Sequence, residues 1–482
     1  MGKRTTFNIS KSEDFSGWYS EILNKAEITD IRYGVKGFVV IRPWGARILE
    51  KMYKIYESAL RATGHDPVVF PAIIPEGNFK KESSHVGGFA PEVFWLDKKH
   101  GDEKLALRPT SETAFYNMYN VWIRSYRDLP LKLYQRANVF RNETKATRPL
   151  IRSREFHWIE THDVFPSKKD AEAQVHEDIQ MTEEVMHKIF GVPFLPIKRP
   201  QWDKFPGADY TIGSDVIMPD GRVIQQPSTH LISQDFTRAF DVKFVDEKEK
   251  EKRPWMTCYG PCMSRMLASV ISLHGDDNGL ILPYTLTPVQ VVVVPMYSAK
   301  SKKKVDSIVE AVVSSLLAEN IDVEIDDSDK RPGEKFFHWE MKGVPFRIEI
   351  GEKEVESEKI NVFIRDIRKK VFVKIEDLIE EIKNLGAEFD LRLKEKADKF
   401  SSDRIINCKD KEGVKKTLGS GKVARFDFCS VGDGGEKCGE FIEKELQARV
   451  MGILADKKER ASGKCLFCKK KAGVVVYAGK SY

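Results

Sequence analysis

The 482-residue chain lacks any apolar run long enough to cross a membrane. The longest, residues 289–294, is already interrupted by Gln290. No apolar signal-peptide core follows Lys3-Arg4, so the cytoplasm is the expected compartment. Met1-Gly2 with Thr6 fits the loose myristoylation pattern, a match short enough for chance. Internal repeats and low-complexity tracts are also missing, which excludes solenoid and linker-type organisation. Charge of one sign is not in excess either. Lysine and arginine total 79 against 73 acidic residues, a net of +6, so global charge does not name a nucleic-acid partner. Basic runs at 300–304, Arg368-Lys369-Lys370 and Lys469-Lys470-Lys471 permit steering of a polyanion, with solvated surface as the alternative. The 41% hydrophobic and 32% charged fractions are those of a soluble globular protein, and the length calls for several domains.

What the chain does have is an arginine-dense stretch. Arg136, Arg141, Arg148, Arg152 and Arg154 fall within nineteen residues that also contain β-formers. They lack the i,i+4 acidic partners of a solvated helix face. The planar guanidinium fork suits phosphate oxygens, so arginines on strands and their connecting loop point to a polyphosphate site. Thr110-Ser111-Glu112 precedes this stretch and reads as the N-terminus of a helix over 110–126. Residues 132–141 and 151–161 alternate as two antiparallel strands around a polar loop.

Pro71 and Pro75 within 68–75 indicate an edge strand, at a boundary or a dimer interface. Residues 168–190 read as an amphipathic helix ending at Gly191, 223–232 and 240–245 as strands, and 264–273 as a buried helix. After Pro288 strands alternate with helices, which implies a small α/β domain with a largely parallel sheet. A charged helix over 376–399 leads into the final segment.

Four of the seven cysteines lie near the end: Cys429, Cys438 and the pair Cys465-x-x-Cys468. A CxxC turn aims two sulfurs at one ion, so two half-sites make a closed all-thiolate Zn2+ centre, with free thiols as the alternative. The eight residues between Cys429 and Cys438 make a looser half-site. Cys258 and Cys262 form a separate pair whose default is buried thiols.

The strings LRPTSETAFYNMY, FRNE, RPLIRSREFHWIETH and HGDDNGLILP together resemble the prolyl-tRNA synthetase family, archaeal/eukaryotic type. The resemblance covers essentially the whole chain. Thr-x-Glu, Phe-Arg-x-Glu and Trp-x-Glu-x-His stand in the family's order and at its intervals. It implies an α+β class II catalytic domain (1–285), an antiparallel sheet flanked by helices. An α/β anticodon-binding domain (286–390) and a small α+β zinc-binding C-terminal domain (391–482) follow. The bacterial editing insertion is absent, since about a hundred residues separate Phe165 from Arg265.

The implied activity joins L-proline to tRNA(Pro) through ATP, with Mg2+ on the phosphates, in a homodimer. Arg141 bridges the α-phosphate and the substrate carboxylate, Glu143 meets the adenine amino group, and Arg152 holds the outer phosphates. Arg265 approaches the triphosphate from the opposite side; Pro261-Cys262 stands where the family often has Gly. Gln225 and Ser228 match nucleotide contacts. Glu112 supplies the countercharge to the substrate ammonium and Thr110 a hydrogen bond to that nitrogen. Trp158 and Phe205 wall the ring, Glu160 and His162 hold the wall, and His230 and Ser264 complete the amino-acid site. Glu340, Arg347, Lys353 and Glu354 are the implied anticodon readers, with surface ion pairs as the alternative. The ending Gly479-Lys480-Ser481-Tyr482 resembles the type whose terminal tyrosine carboxylate turns toward the active site.

Rival assignments make distinct demands. A threonine enzyme calls for a metal-ligand set inside the pocket and a serine enzyme for a long N-terminal coiled coil. Neither is visible in the sequence. A non-catalytic RNA-binding relative should have lost Arg141, Glu143 or Arg265, and all three are present.

Overall fold

The computed structural model describes residues 7, 9–83, 93–143, 146–297 and 301–482. The Met1-Gly2/Thr6 pattern and Lys300 lie outside the described residues. An eleven-stranded sheet forms the frame. Its order is Ile405–Asn407, Val423–Phe428, Val474–Gly479, Arg449–Leu454, Leu195–Lys198, Ala208–Ile217, Val223–Ile232, Trp255–Tyr259, Glu155–Phe165, Leu131–Phe140 and Asp66–Pro67. Pairing is antiparallel except for the outermost strand at each end.

The two faces of the sheet do different work. On the Glu155–Phe165 strand, Ile159 faces the largest core, where helices Pro43–Ala62 and Met263–His274 pack Ile48, Met52, Tyr56, Leu267 and Ile271. Met263–His274 is buried almost throughout, as its run of small and apolar residues requires. Val164 points to the other face, against Phe115, Tyr116 and Tyr119 of helix Glu112–Trp122. A two-residue period thus separates structural core from the face that carries the site.

The residues around Pro71 form no continuous strand. Asp66–Pro67 ends the large sheet, and Ile73–Pro75 joins a separate sheet with Glu103–Leu107 and Trp95–His100. Proline supplies no ladder donor, and the chain changes sheets across it. The helix from Lys168 passes at Thr182 into a π-helical stretch, Glu183–Ile189, before Gly191 turns the chain at φ +65°.

Further expectations are corrected. Residues 240–245 are not one strand: helix Gln234–Ala239 runs up to Phe240, and only Phe244–Val245 is extended. Ser233 caps that helix through Asp235 N, and Phe236 and Phe240 stack into the core, overriding the β-propensity of the segment. The sheet after Pro288 is mixed, not largely parallel. Val323–Ile325, Val291–Pro295 and Phe346–Ile350 are parallel, but Lys359–Ile364 and Lys369–Lys374 return antiparallel. The tight turn between those two uses Arg368 at φ +53°.

Helix Leu378–Ser402 runs across the expected 390/391 boundary. Beyond it, the C-terminal strands continue the catalytic sheet, because Ile453 pairs with Lys198 and Leu454 with Ile197. Gly452 sits at this junction at φ +136°, where an added Cβ would lie 2.1 Å from the carbonyl oxygen of Lys198. Only glycine permits that approach.

Candidate active site

Strand periodicity delivers the site. Phe156, Trp158, Glu160 and His162 alternate along one strand and share a face. Cys258 lies directly between His162 and His230 in the cross-strand register. A register shift on Val223–Ile232 lets both Gln225 and Gln226 reach the same cavity. That cavity measures about 140 Å³, well below drug-sized pockets of roughly 300 Å³ and more. It is walled by Thr110, Glu112, Arg141, Trp158, Phe205, Gln225, Ser228, His230 and Arg265, all anticipated from sequence. Phe156, Gln226, Cys258, Gly260 and Cys262 complete it. Gly260 is needed sterically: an added Cβ would meet the Trp158 ring at 3.0 Å.

The floor is a buried acid network at the start of helix Glu112–Trp122. Thr110 donates to Glu112 and, at 3.4 Å, to Glu160. Glu160 also accepts from Ser111 N at 3.1 Å and from Gln135 Nε2 at 2.7 Å, while His162 Nε2 lies 3.1 Å from it. Burial alone would raise the Glu160 pKa; the His162 contact, with Ser111 and Gln135, instead holds it down at about 2. Burial works against the His162 imidazolium too, but Glu160 and Glu112 push its pKa up. Glu160 and His162 stand behind the cavity wall rather than in it. Glu112 is exposed to the cavity, and its Oε1 accepts from the Cys258 thiol at 3.3 Å. Burial and then Glu112 and Glu160 push that thiol well above its ordinary value. A buried carboxylate lining a small, partly aromatic cavity suits a cation.

His230 is fixed at both nitrogens, by Thr211 Oγ1 at 2.8 Å and Ser228 Oγ at 3.1 Å, and Phe205 packs on its ring. Burial, followed by Arg199 and His162, lowers its pKa to about 3, so it is a neutral pocket wall. Arg141 and Arg265 line the same cavity. Arg141 Nε donates to Pro109 O, and its guanidinium lies over Phe156 and Trp158. Arg265 is held by the carbonyls of Ile151 and Gln225, both at 3.1 Å. Behind them a buried Arg199–Asp215 pair donates to Gln225 Oε1 at 3.0 Å and to Met451 O of the C-terminal segment at 3.3 Å.

Glu143, Arg152 and Ser264, like Glu160 and His162, do not line this cavity. Arg152 donates to Glu143 at 2.9 Å and to a main-chain oxygen of Tyr482 at 2.7 Å, beside the cavity and not on its wall. Ser264 accepts from His157 N at 3.0 Å and lines an adjoining cavity. Tyr482 also places its hydroxyl on Asp220 at 2.8 Å. Arginines without an assigned role in the sequence now have structural ones. Arg136 lies over Tyr53 and pairs with Glu50, Arg148 lies over Tyr19, and Arg154 donates to Glu143 O.

Cys429, Cys438, Cys465 and Cys468 come together with their sulfurs within 4.8 Å of one another. The tight 465–470 turn, closed by Cys465 N on Lys470 O at 2.8 Å, aims two of them inward. Four converging thiols fit Zn2+. In the domain after Pro288, Glu340 and Arg347 pair at 3.2 Å and extend to Glu349, Arg368 and Lys370. Arg347 is sandwiched between Phe336 and Phe363. Glu354 is apart from that network, held by Gly351 N and Asn361, and Lys353 is exposed. The 368–370 basic run thus contributes to the network, a role its composition alone did not signal.

Comparison with known proteins decides the family. The class II tRNA synthetase core domain model (G, H, P, S and T) matches residues 94–274, the anticodon-binding domain model 290–385, and the prolyl-tRNA synthetase C-terminal model 411–482. A proline–tRNA ligase of Thermofilum pendens is 47% identical over 481 residues, covering 98% of each chain. The chain belongs to the prolyl-tRNA synthetase family. The Giardia lamblia prolyl-tRNA synthetase in complex with prolyl-adenylate superposes with a TM-score of 0.95 at 35% identity, covering 99% of this chain and 100% of that one. The Cryptosporidium parvum family member complexed with L-proline and AMP gives 0.89 at 30% identity, covering 98% and 99%. Of the wall residues the sequence did not yield, Phe156 continues the period of Trp158, Glu160 and His162 and was legible. Cys258 and Gly260 depend on cross-strand register and on a contact with a distant ring, which no local pattern carries.

Proposed function

We infer that the protein activates L-proline with ATP and transfers the prolyl group to tRNA(Pro). The observation that carries this reading is one small cavity lined together by Glu112, Arg141 and Arg265. In the first step a proline carboxylate oxygen attacks the α-phosphorus of ATP, which enters as its Mg2+ complex. The bond to the bridging oxygen breaks and pyrophosphate leaves. Glu112 and Thr110 hold the secondary ammonium, and Trp158, Phe205 and His230 enclose the ring. Arg141 spans carboxylate and α-phosphate, and Arg265 stabilises charge from the far side. Gln225 and Ser228 meet the nucleotide, Glu143 the adenine amino group, and Arg152 the outer phosphates. The carboxylate is already ionised, so positioning and electrostatics suffice. In the second step a 3′-terminal ribose hydroxyl attacks the prolyl carbonyl carbon, and AMP leaves.

Glu340 and Arg347, with Arg368 and Lys370, offer acceptors and donors to unstacked anticodon bases, and Lys353 and Glu354 flank them. The four-cysteine cluster holds Zn2+ and orders the C-terminal segment. A homodimer is supported by apolar surface near the sheet edge: Val69 is 90% exposed, and Val121 and Trp122 are exposed beside it. Charging tRNA for translation sets the cytoplasm as the compartment; no helix among the described residues is long and apolar enough to cross a membrane. ATP–pyrophosphate exchange across all twenty amino acids tests the reading. Exchange should depend on proline; dependence on another amino acid instead would overturn it.

A further inference from the structure

The sequence offered no metal-ligand set for the pocket, yet the folded chain assembles one. Candidate ligand atoms of Glu112, His162 and Cys258 lie within 4.8 Å of one another, and all three residues are buried. Roughly 2.0–2.3 Å bonds to a tetrahedral zinc put its ligand atoms roughly 3.3–3.6 Å apart. The contact between Cys258 Sγ and Glu112 Oε1 is already 3.3 Å. A second observation points the same way. His162 uses Nε2 on Glu160, but its Nδ1 is fully buried and has no hydrogen-bond partner among the described residues. Such an orphan costs stability unless something uses it.

We propose that Glu112, His162 and Cys258 form a second site for a soft divalent cation, Zn2+ or Cd2+, that shares its space with the substrate ammonium. One sulfur, one imidazole nitrogen and one carboxylate suit zinc and its heavier congener rather than Mg2+, which demands oxygen ligands. Glu112 and Cys258 line the cavity while His162 stands behind them, so the fourth position opens where substrate enters. Binding displaces two protons to solvent, the thiol proton of Cys258 and the Nδ1 proton of the His162 imidazolium, while Nε2–H stays on Glu160. The cation and the proline ammonium cannot both take Glu112, so each excludes the other. The proposal rests on the reading of Glu112 as the ammonium's countercharge.

The test uses full-length protein with the four-cysteine cluster already zinc-loaded, titrated with Cd2+. Each cadmium–thiolate bond contributes ultraviolet charge-transfer absorption. One further Cd2+ per chain should bind, with a thiolate band that Cys258→Ser removes. Proline at ten times its own dissociation constant should weaken that binding about tenfold, while Mg2+ leaves it unchanged. The proline arm needs no variant, so it stands even if Cys258→Ser folds poorly. No additional band, a band that survives in a folded Cys258→Ser protein, or a band indifferent to proline overturns the proposal. Failure of the ammonium reading is separable: it would appear as undiminished proline activation by Glu112→Gln, measured without added metal.

Discussion

Nε2 of His162 lies 3.1 Å from Oε2 of Glu160, and neither side chain is exposed to solvent. This pair sits behind the cavity and holds the backbone and hydroxyl of Thr110-Ser111 through Glu160. It therefore positions Thr110 at the cavity wall without lining the cavity itself.

Removing one partner of a buried pair leaves the other charge uncompensated. His162→Ala should destabilise the fold by about 3–5 kcal/mol, measured by denaturant unfolding. The pH dependence follows from both partners. Glu160, whose pKa is depressed from 4.5 to about 2, stabilises fully above pH 4.5 and loses its contribution as pH falls through 2. His162, raised above 6.5, stabilises fully below pH 6.5 and loses its contribution as pH rises through its raised value. The wild-type advantage over His162→Ala should be greatest between these limits. A flat difference from pH 4 to 9 would contradict the ion pair.

Arg141→Ala should lower proline-dependent ATP–pyrophosphate exchange by about 10²–10³-fold, the usual loss for one donor to developing charge. Its circular dichroism should be unchanged, since Arg141 is held mainly at the cavity wall. Retained exchange would remove it from the phosphate site.

Gly260→Ala places a methyl group 3.0–3.4 Å from the Trp158 ring, which must tilt into the cavity. KM for proline should rise several-fold while KM for ATP stays near wild type. Equal effects on both would show that the contact does not shape the amino-acid side.

Zinc removal should be felt at the nucleotide. The C-terminal segment reaches Arg199 through Met451 O, and Arg199 in turn holds Gln225. Metal analysis of protein saturated with proline, which keeps the pocket site empty, should find one zinc per chain, and its removal by a chelator should lower thermal stability and raise KM for ATP. A protein without zinc, with unchanged KM for ATP, would make the cluster four free thiols.

The local parts of the site were legible because chemistry and chain order coincide there. Thr110, Glu112, Trp158, Glu160 and His162 sit on one helix start and one strand, where spacing alone sets a shared face. The arginines were harder to divide. Arg136 and Arg148 resemble Arg141 in composition but turn to Tyr53 and Tyr19, an outcome fixed by packing with the N-terminal helices. Long-range pairing hid the rest. Cys258 meets Glu112 only because strand Trp255–Tyr259 packs against helix Glu112–Trp122, and Lys198 meets Ile453 across more than 250 residues of chain. The misread segment 240–245 failed for the same reason: Phe236 and Phe240 stack in a core assembled from distant elements.

The proposed recognition of the proline ammonium by Glu112 can be measured on its own. The direct measurement is the Michaelis dependence of ATP–pyrophosphate exchange on proline for wild type and Glu112→Gln. Loss of a buried countercharge should lower kcat/KM for proline by about two to three orders of magnitude, with KM for ATP within about twofold. An unchanged kcat/KM for proline in Glu112→Gln would contradict the account.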